Sequence, residues 1–371
     1  MRKVAVFFGG KSCENEISVL TGVFVLHLID KEKFDPVPIY LHTDGGMYTS
    51  SKMTDLSVFR ERRFSSFERV FFEGGTLYAF TEKRRKIKRL CTIDCALNCC
   101  HGGLGEGGGV SALVAMNGIP LASPELTASG VFMDKSLTKV VLRGLGIPTV
   151  EYIRANEKDY EKRGAFLMRS IESKLKYPVV IKPAHLGSSI GISLAKNETE
   201  ARKAIEGAFE LDTRVVVEKY LAEKRDINCA AYMLGDEIFV SEPEEAFGSG
   251  IYSFEDKYVK RTTDGRGKQE KGRRIEGELR EKIRSYTKTV YKRMNFQGVV
   301  RMDFLVSGKQ VYLCEVNTVP GSLAYYLFCE RVSDAKNFFS DLLEEAIRAQ
   351  KQENKKLLTT GILGSVRWQG K

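Results

Sequence analysis

Tryptophan occurs once, histidine four times and proline nine times in 371 residues. With so few histidines, and eight cysteines at no zinc-finger spacing, a His/Cys zinc module is excluded. No apolar run approaches the roughly 18 residues that cross a bilayer, so no membrane partner is expected. The basic start Met1-Arg2-Lys3 leads into an apolar stretch that ends at Gly9-Gly10, shorter than a secretory signal. A cytoplasmic protein with reduced thiols is therefore expected.

What is present points to a folded chain with spare positive charge. Hydrophobic residues at 43% and aromatics at 10% are enough for real cores and exclude a largely disordered protein. The length suggests two or three domains. Lys and Arg number 58 against 48 Asp and Glu, a formal charge of +10. That balance favours a polyanion, whether nucleic acid, membrane surface or phosphorylated small molecule, and does not choose among them.

Apolar runs and turn residues predict three α/β regions. In the first, residues 4–8 read as a strand closing on Gly9-Gly10, with Ser12 as N-cap of a helix carrying Ile17, Val19, Leu20, Val23 and Leu26. Further strands are expected at 36–41 and 95–100, with hairpin insertions over 43–90. Loops at strand C-termini would carry function in such a layer. The second region has a helix at 133–145, a strand at 177–183, a Gly/Ser loop and a helix at 198–209. Strands at 215–218 and 229–234 open the third region. A basic loop (257–274), an amphipathic helix through Leu279, Ile283, Tyr286, Val290 and Met294, a hairpin at 299–317 and a helix at 334–350 follow.

The hairpin carries the clearest chemistry. Arg301 and Asp303 share one face of the first strand, Glu315 and Asn317 one face of the second. A three-residue turn at Ser307–Lys309 would put all four on the same side of the sheet. Two carboxylates and an amide oxygen beside an arginine suit a hard cation bridging phosphates; the bland alternative is a solvated polar face. Lys182-Pro183 followed by Gly187-Ser188-Ser189-Ile190-Gly191 offers backbone N–H groups to an anion, although this loop has neither P-loop nor dinucleotide spacing. Val215–Leu221, ending Glu218-Lys219-Tyr220-Leu221, could read an adenine edge. The glycines of His101-Gly102-Gly103-Leu104-Gly105-Glu106 allow close backbone approach to a ligand.

Taken in order, these pieces resemble the D-alanine–D-alanine ligase family of the ATP-grasp fold over nearly the whole chain. The matching segments are Phe8–Ser12 through Glu16-Ile17-Ser18, His101-Gly102 with Gly105-Glu106, Met133-Asp134-Lys135, Lys182-Pro183 with its Gly/Ser loop, Lys257-Tyr258, Arg301-Met302-Asp303, and Glu315–Thr318 with Pro320-Gly321. The resemblance implies an α/β, three-domain ATP-grasp fold with an N-terminal Rossmann-like domain at 1–124. ATP-grasp subdomains would occupy 125–214 and 215–350, with a tail at 351–371. It implies joining of two D-alanines through an acyl phosphate, for peptidoglycan precursors, with ATP and two Mg²⁺ (or Mn²⁺), in a homodimer. Glu14 would hold the first ammonium, with His101 and Lys257 near its carboxylate. Lys135 and Lys182 would meet the phosphates under Ser188 and Ser189. Glu218, Lys219 and Leu221 would embrace adenine, with Asp226 on the ribose. Asp303, Glu315 and Asn317 would bind metal, and Arg301 would stabilise the tetrahedral intermediate. Gly321 would border the second substrate, while Glu14, Ser188 and Tyr258 would link the domains.

Departures from the family pattern concern mainly the second substrate. Asn15, the Gly107-Gly108 pair and the basic stretch 259–274 are atypical, and Tyr326 stands where a small serine would touch the second carboxylate. A paralogue with another D-amino or hydroxy acid as acceptor is the alternative. Nucleic-acid binding through Lys83–Arg89 and the 257–274 loop has less support, because no stacking aromatics or nucleic-acid fold accompany those charges.

Overall fold

Val4, Ala5, Val6, Phe7 and Phe8 are all fully buried, as a strand is when both faces of its sheet are covered. In the computed structural model, which describes residues 1–81, 86–246, 273–353 and 360–362, this strand is Arg2–Gly9. It pairs in parallel with Phe34–Leu41 and with Cys95–Asn98. Helix Asn15–Leu28 covers one face through Val19, Val23 and Leu26, and helix Val110–Met116 the other through Val110 and Val114. The insertions after residue 43 extend this sheet as antiparallel strands Met47–Thr49, Glu68–Glu73, Thr76–Thr81 and Lys86–Thr92.

Ser12 is not the helix cap expected from the sequence. The helix starts at Asn15, and Glu14 occupies the cap position without a side-chain cap bond. Ser12 Oγ accepts from the Glu14 N–H and donates to the His101 carbonyl at 2.6 Å. The hydroxyl thus ties together the two turns that leave neighbouring parallel strands.

A second, antiparallel sheet runs in the order Ser193–Ala195, Val179–Pro183, Arg214–Lys219, Tyr152–Asn156. Helices Glu157–Ser170 and Glu198–Phe209 cover it. The first of these, and strand Tyr152–Asn156, escape the sequence reading; Met168 is the helix's sole buried residue, so its polar face dominates the pattern. The helix expected at 133–145 is Lys135–Gly144, and a further helix, Leu126–Met133, precedes it. Asp134 breaks them with extended backbone, and its carboxylate caps the later one by accepting from the Ser136 and Leu137 N–H groups.

In the third sheet Arg225–Leu234 lies between Val300–Ser307 and Glu244–Glu245, and Val300–Ser307 pairs with Gln310–Asn317. Helix Gly277–Arg293 buries Ile283, Val290 and Tyr291 against it. The final helix, Ala335–Glu353, returns to the first sheet. Phe338, Phe339, Leu342, Leu343 and Ala346 share a core with Val4, Val6 and Leu97. Burial of each large side chain contributes about 2 kcal/mol, so this helix fastens the third sheet's chain to the first. Among the described residues no helix is long and apolar enough to cross a membrane, and all eight cysteines are free.

Candidate functional site

The hairpin register decides what the polar face can do. Arg301 lies opposite Asn317 and Asp303 opposite Glu315, so the four share one face as expected, but not by the expected turn. Ser307 pairs with Gln310, so only Gly308 and Lys309 form the loop. That alone would shift the four side chains out of line; a bulge between Asp303 and Phe304 adds one residue on the partner strand and restores the pairing. Arg301 then donates from Nε to Asp303 Oδ1 at 2.8 Å and from Nη2 to Oδ2 at 2.9 Å. Asn317 Nδ2 donates to the same Oδ2 at 2.9 Å, turning its amide oxygen away. Glu315 Oε1 is 3.1 Å from Lys135 Nζ. Among the described residues no cluster of three or more His, Cys, Asp or Glu could hold a metal. The oxygen-only set of Asp303, Glu315 and Asn317 fits a hard cation that fills its shell from water or phosphate.

Behind Glu315 lies a second group of charges. Glu218, at the end of strand Arg214–Lys219, is 2.7 Å from Lys182 Nζ and 3.0 Å from Lys139 Nζ. Burial pushes the Glu218 carboxyl up, but the two lysine charges outweigh it and hold it at about 2. Lys182 shifts upward against its own burial because of Glu218. Beyond Glu218 the chain reaches the surface: Lys219 Nζ is 3.9 Å from Glu151, and Leu221 is half-buried. Asp226 lies opposite Leu305 and pairs with Lys224 at 2.8 Å. It is two residues from Asn228, which faces Asp303, so it shares that face of the sheet.

The loop after Pro183 is held from below. Lys135 Nζ donates to the Leu186 carbonyl, and the Lys135 N–H to Ala184 at 3.0 Å. His185 sits between Asp212 and Asp134, whose hydrogen bonds raise it to about 9. Ser188 and Ser189 adopt left-handed φ of 51° and 61°, which costs each about 1 kcal/mol. The strained turn carries Ser188 to Glu14, where its Oγ donates to Oε1.

On the opposite wall His101 is buried with Nε2 2.9 Å from Thr21 Oγ1. Burial, reinforced by the Arg301 charge, pushes it down to about 4 despite its hydrogen bond with the Val319 backbone. The ring is therefore neutral at pH 7. Thr21 Oγ1 also accepts from the Ser322 N–H at 3.2 Å. Gly321 opens a turn in which Ser322, Leu323 and Ala324 are all left-handed, and this turn delivers Tyr326 Oη to within 3.3 Å of Arg301 Nη1. Lys257 and Tyr258 lie outside the described residues.

Three residues to which the sequence reading gave no role belong to this arrangement. Lys139 shares a helix face with Lys135, four residues before it, and that spacing was the available signal. Glu106, within the glycine-rich loop, accepts from Gly102 N–H at 2.7 Å and Val319 N–H at 3.3 Å. Burial, with the charges of Glu14 and Glu315, raises it to about 7. Thr21 gave no signal, since its role comes from packing across 301 residues of chain.

Family comparison agrees with this layout along the chain. Residues 3–124 match the model described as "D-ala D-ala ligase N-terminus", and residues 141–348 that described as "D-ala D-ala ligase C-terminus". The chain belongs to the D-alanine–D-alanine ligase family. A curated D-alanine–D-alanine ligase from Thermosipho melanesiensis is 33% identical over 338 residues, covering 88% of this chain and 89% of the relative. The crystal structure of the Helicobacter pylori D-alanine–D-alanine ligase superposes with a TM-score of 0.76 at 26% identity, covering 93% and 98%. The D-Ala:D-Ser ligase VanG of Enterococcus faecalis gives 0.72 at 26%, covering 94% and 99%. The fold is thus that of the ATP-grasp ligases, and family membership carries the use of ATP.

Proposed function

We propose that this chain joins two D-alanines at the expense of ATP, forming D-alanyl-D-alanine for peptidoglycan precursors. The observation that supports it best is the way cations and carboxylates are paired around one cleft: Lys135 with Glu315, Lys182 with Glu218, Arg301 with Asp303. In such a site each cation can exchange its internal carboxylate for a phosphate or a substrate carboxylate, provided another cation then compensates the carboxylate it leaves.

In this reading the first D-alanine lies between Glu14, which takes its ammonium, and the neutral His101, with Lys257 near its carboxylate. Lys135 and Lys182 neutralise the phosphates, Ser188 and Ser189 cover them, and Glu218, Lys219, Leu221 and Asp226 hold the nucleoside. Asp303, Glu315 and Asn317 would hold Mg²⁺, which supplies charge neutralisation at the transferring phosphoryl group. A carboxylate oxygen of the first D-alanine bonds to the γ-phosphorus as ADP leaves. The second amine then attacks the acyl carbon, and phosphate departs with that oxygen. Arg301 is placed to stabilise the tetrahedral oxyanion, and Glu14, Ser188 and Tyr258 exclude water. A homodimer in the cytoplasm completes the reading.

A second reading keeps the activation chemistry and changes the acceptor. It is favoured by Tyr326, which lies on the turn that Gly321 opens and whose hydroxyl reaches Arg301. Mass spectrometry of products from a mixed pool of D-amino and D-hydroxy acids separates the two: D-alanyl-D-alanine as the main product supports the first, a mixed product the second.

A further inference from the structure

Lys139 is the most deeply buried ammonium next to the cleft, and the reaction outlined above gives it no task. It lies on helix Lys135–Gly144, and its side chain is 0% exposed, against 16% for Lys182 and 4% for Glu218. Its Nζ is 3.0 Å from Glu218 Oε1 yet makes no directed hydrogen bond to any described residue. The Tyr152 ring centroid is 5.3 Å away. Lys182, by contrast, makes a directed hydrogen bond to Oε2 and reaches the cleft surface.

Two ammonium groups therefore share one carboxylate, and only one of them can leave it. If Lys182 moved to an anion with no other cation beside Glu218, a buried carboxylate would remain uncompensated, which is strongly unfavourable. Lys139 removes that penalty. Resting on the reading of this cleft as the nucleotide site, we propose that Lys139 is a positioning residue that keeps Glu218 compensated and so releases Lys182 onto the phosphates of a bound nucleoside triphosphate. The ammonium at Lys139 never meets the ligand; it sets how freely Lys182 can.

The test is a double-mutant cycle read by calorimetry on protein without amino acids. Wild type, K139M, E218Q and K139M/E218Q are titrated with ATP, tripolyphosphate and adenosine, and thermal melts confirm that each is folded. K139M is expected to lose about tenfold in affinity for ATP and tripolyphosphate, with adenosine affinity unchanged. In the E218Q background, where no carboxylate competes for Lys182, the same substitution should have little effect. K139R, which keeps the charge, serves if K139M does not fold, and should bind tripolyphosphate like wild type. Equal losses from K139M in both backgrounds, or an equal loss for adenosine, overturn the exchange. A wild-type protein that binds no nucleotide overturns the nucleotide-site reading itself, and the exchange with it.

Discussion

Glu14 and Ser188, 174 residues apart in the chain, are joined by a hydrogen bond from Ser188 Oγ to Glu14 Oε1. The carboxylate fits between two backbones that carry no side chain. A Cβ at Gly187 would stand 2.6 Å from Oε2, and one at Gly102 2.8 Å from it. The contact brings the turn before the first helix against the loop that follows Lys182.

Substituting Gly187 by alanine should therefore push that loop off Glu14. G187A is expected to reduce kcat/KM for D-alanine roughly hundredfold, as displacements of about 1 Å do in catalytic sites, with a melting temperature near wild type. Steady-state kinetics at saturating ATP measures this, and wild-type kinetics would remove the steric argument.

The metal assignment is tested at constant shape. Glu315→Gln takes one negative charge from the oxygen set and from Lys135 while keeping the side-chain volume. Turnover of ATP should fall at least about 100-fold, and circular dichroism should show an intact fold. Activity at the wild-type level would refute the role of Glu315.

Tyr326 bears on the acceptor. Y326F keeps the ring and removes the acceptor for Arg301 Nη1, a loss of about tenfold for one charge-assisted hydrogen bond. Y326S removes the ring and should admit bulkier second substrates. Product profiles from mixed D-amino acids follow both; an acceptor range in Y326S identical to wild type would show that Tyr326 does not border the second substrate.

The hairpin shows how far the sequence reached. Alternation placed Arg301 with Asp303 and Glu315 with Asn317, because period 2 is set by the backbone; uniting the two pairs on one face rested on a three-residue turn that the hairpin does not have. The turn length and the compensating bulge are not visible in composition, since Gly308 and Cys314 serve either register. Glu14, Lys182 and Glu218 were legible through ordered motifs, whereas Thr21 and Glu106 depend on which distant backbone packs against them. The helix expected at 133–145 starts two residues later, at Lys135, because the Asp134 carboxylate caps it; the preceding helix Leu126–Met133 was not anticipated.

Acid–base linkage offers an independent check on what holds the loop after Pro183. Hydrogen bonds from His185 to Asp134 and Asp212 raise it from 6.5 to about 9. The folded protein therefore holds this proton more tightly than the unfolded chain. Its stabilisation is complete below about pH 6.5 and is lost as the pH rises through about 9. H185Q should melt well below wild type at pH 6, and the gap should narrow towards pH 10. A gap independent of pH would place the contribution of His185 in packing rather than charge.

The central claim is that the first D-alanine is activated on its carboxylate before the peptide bond forms. D-alanine labelled with ¹⁸O in both carboxylate oxygens, incubated with ATP and Mg²⁺, tests it directly. One labelled oxygen should appear in inorganic phosphate for each D-alanyl-D-alanine formed, read by mass spectrometry of the phosphate. Unlabelled phosphate, or ADP released without a D-alanine-containing product, would contradict the account.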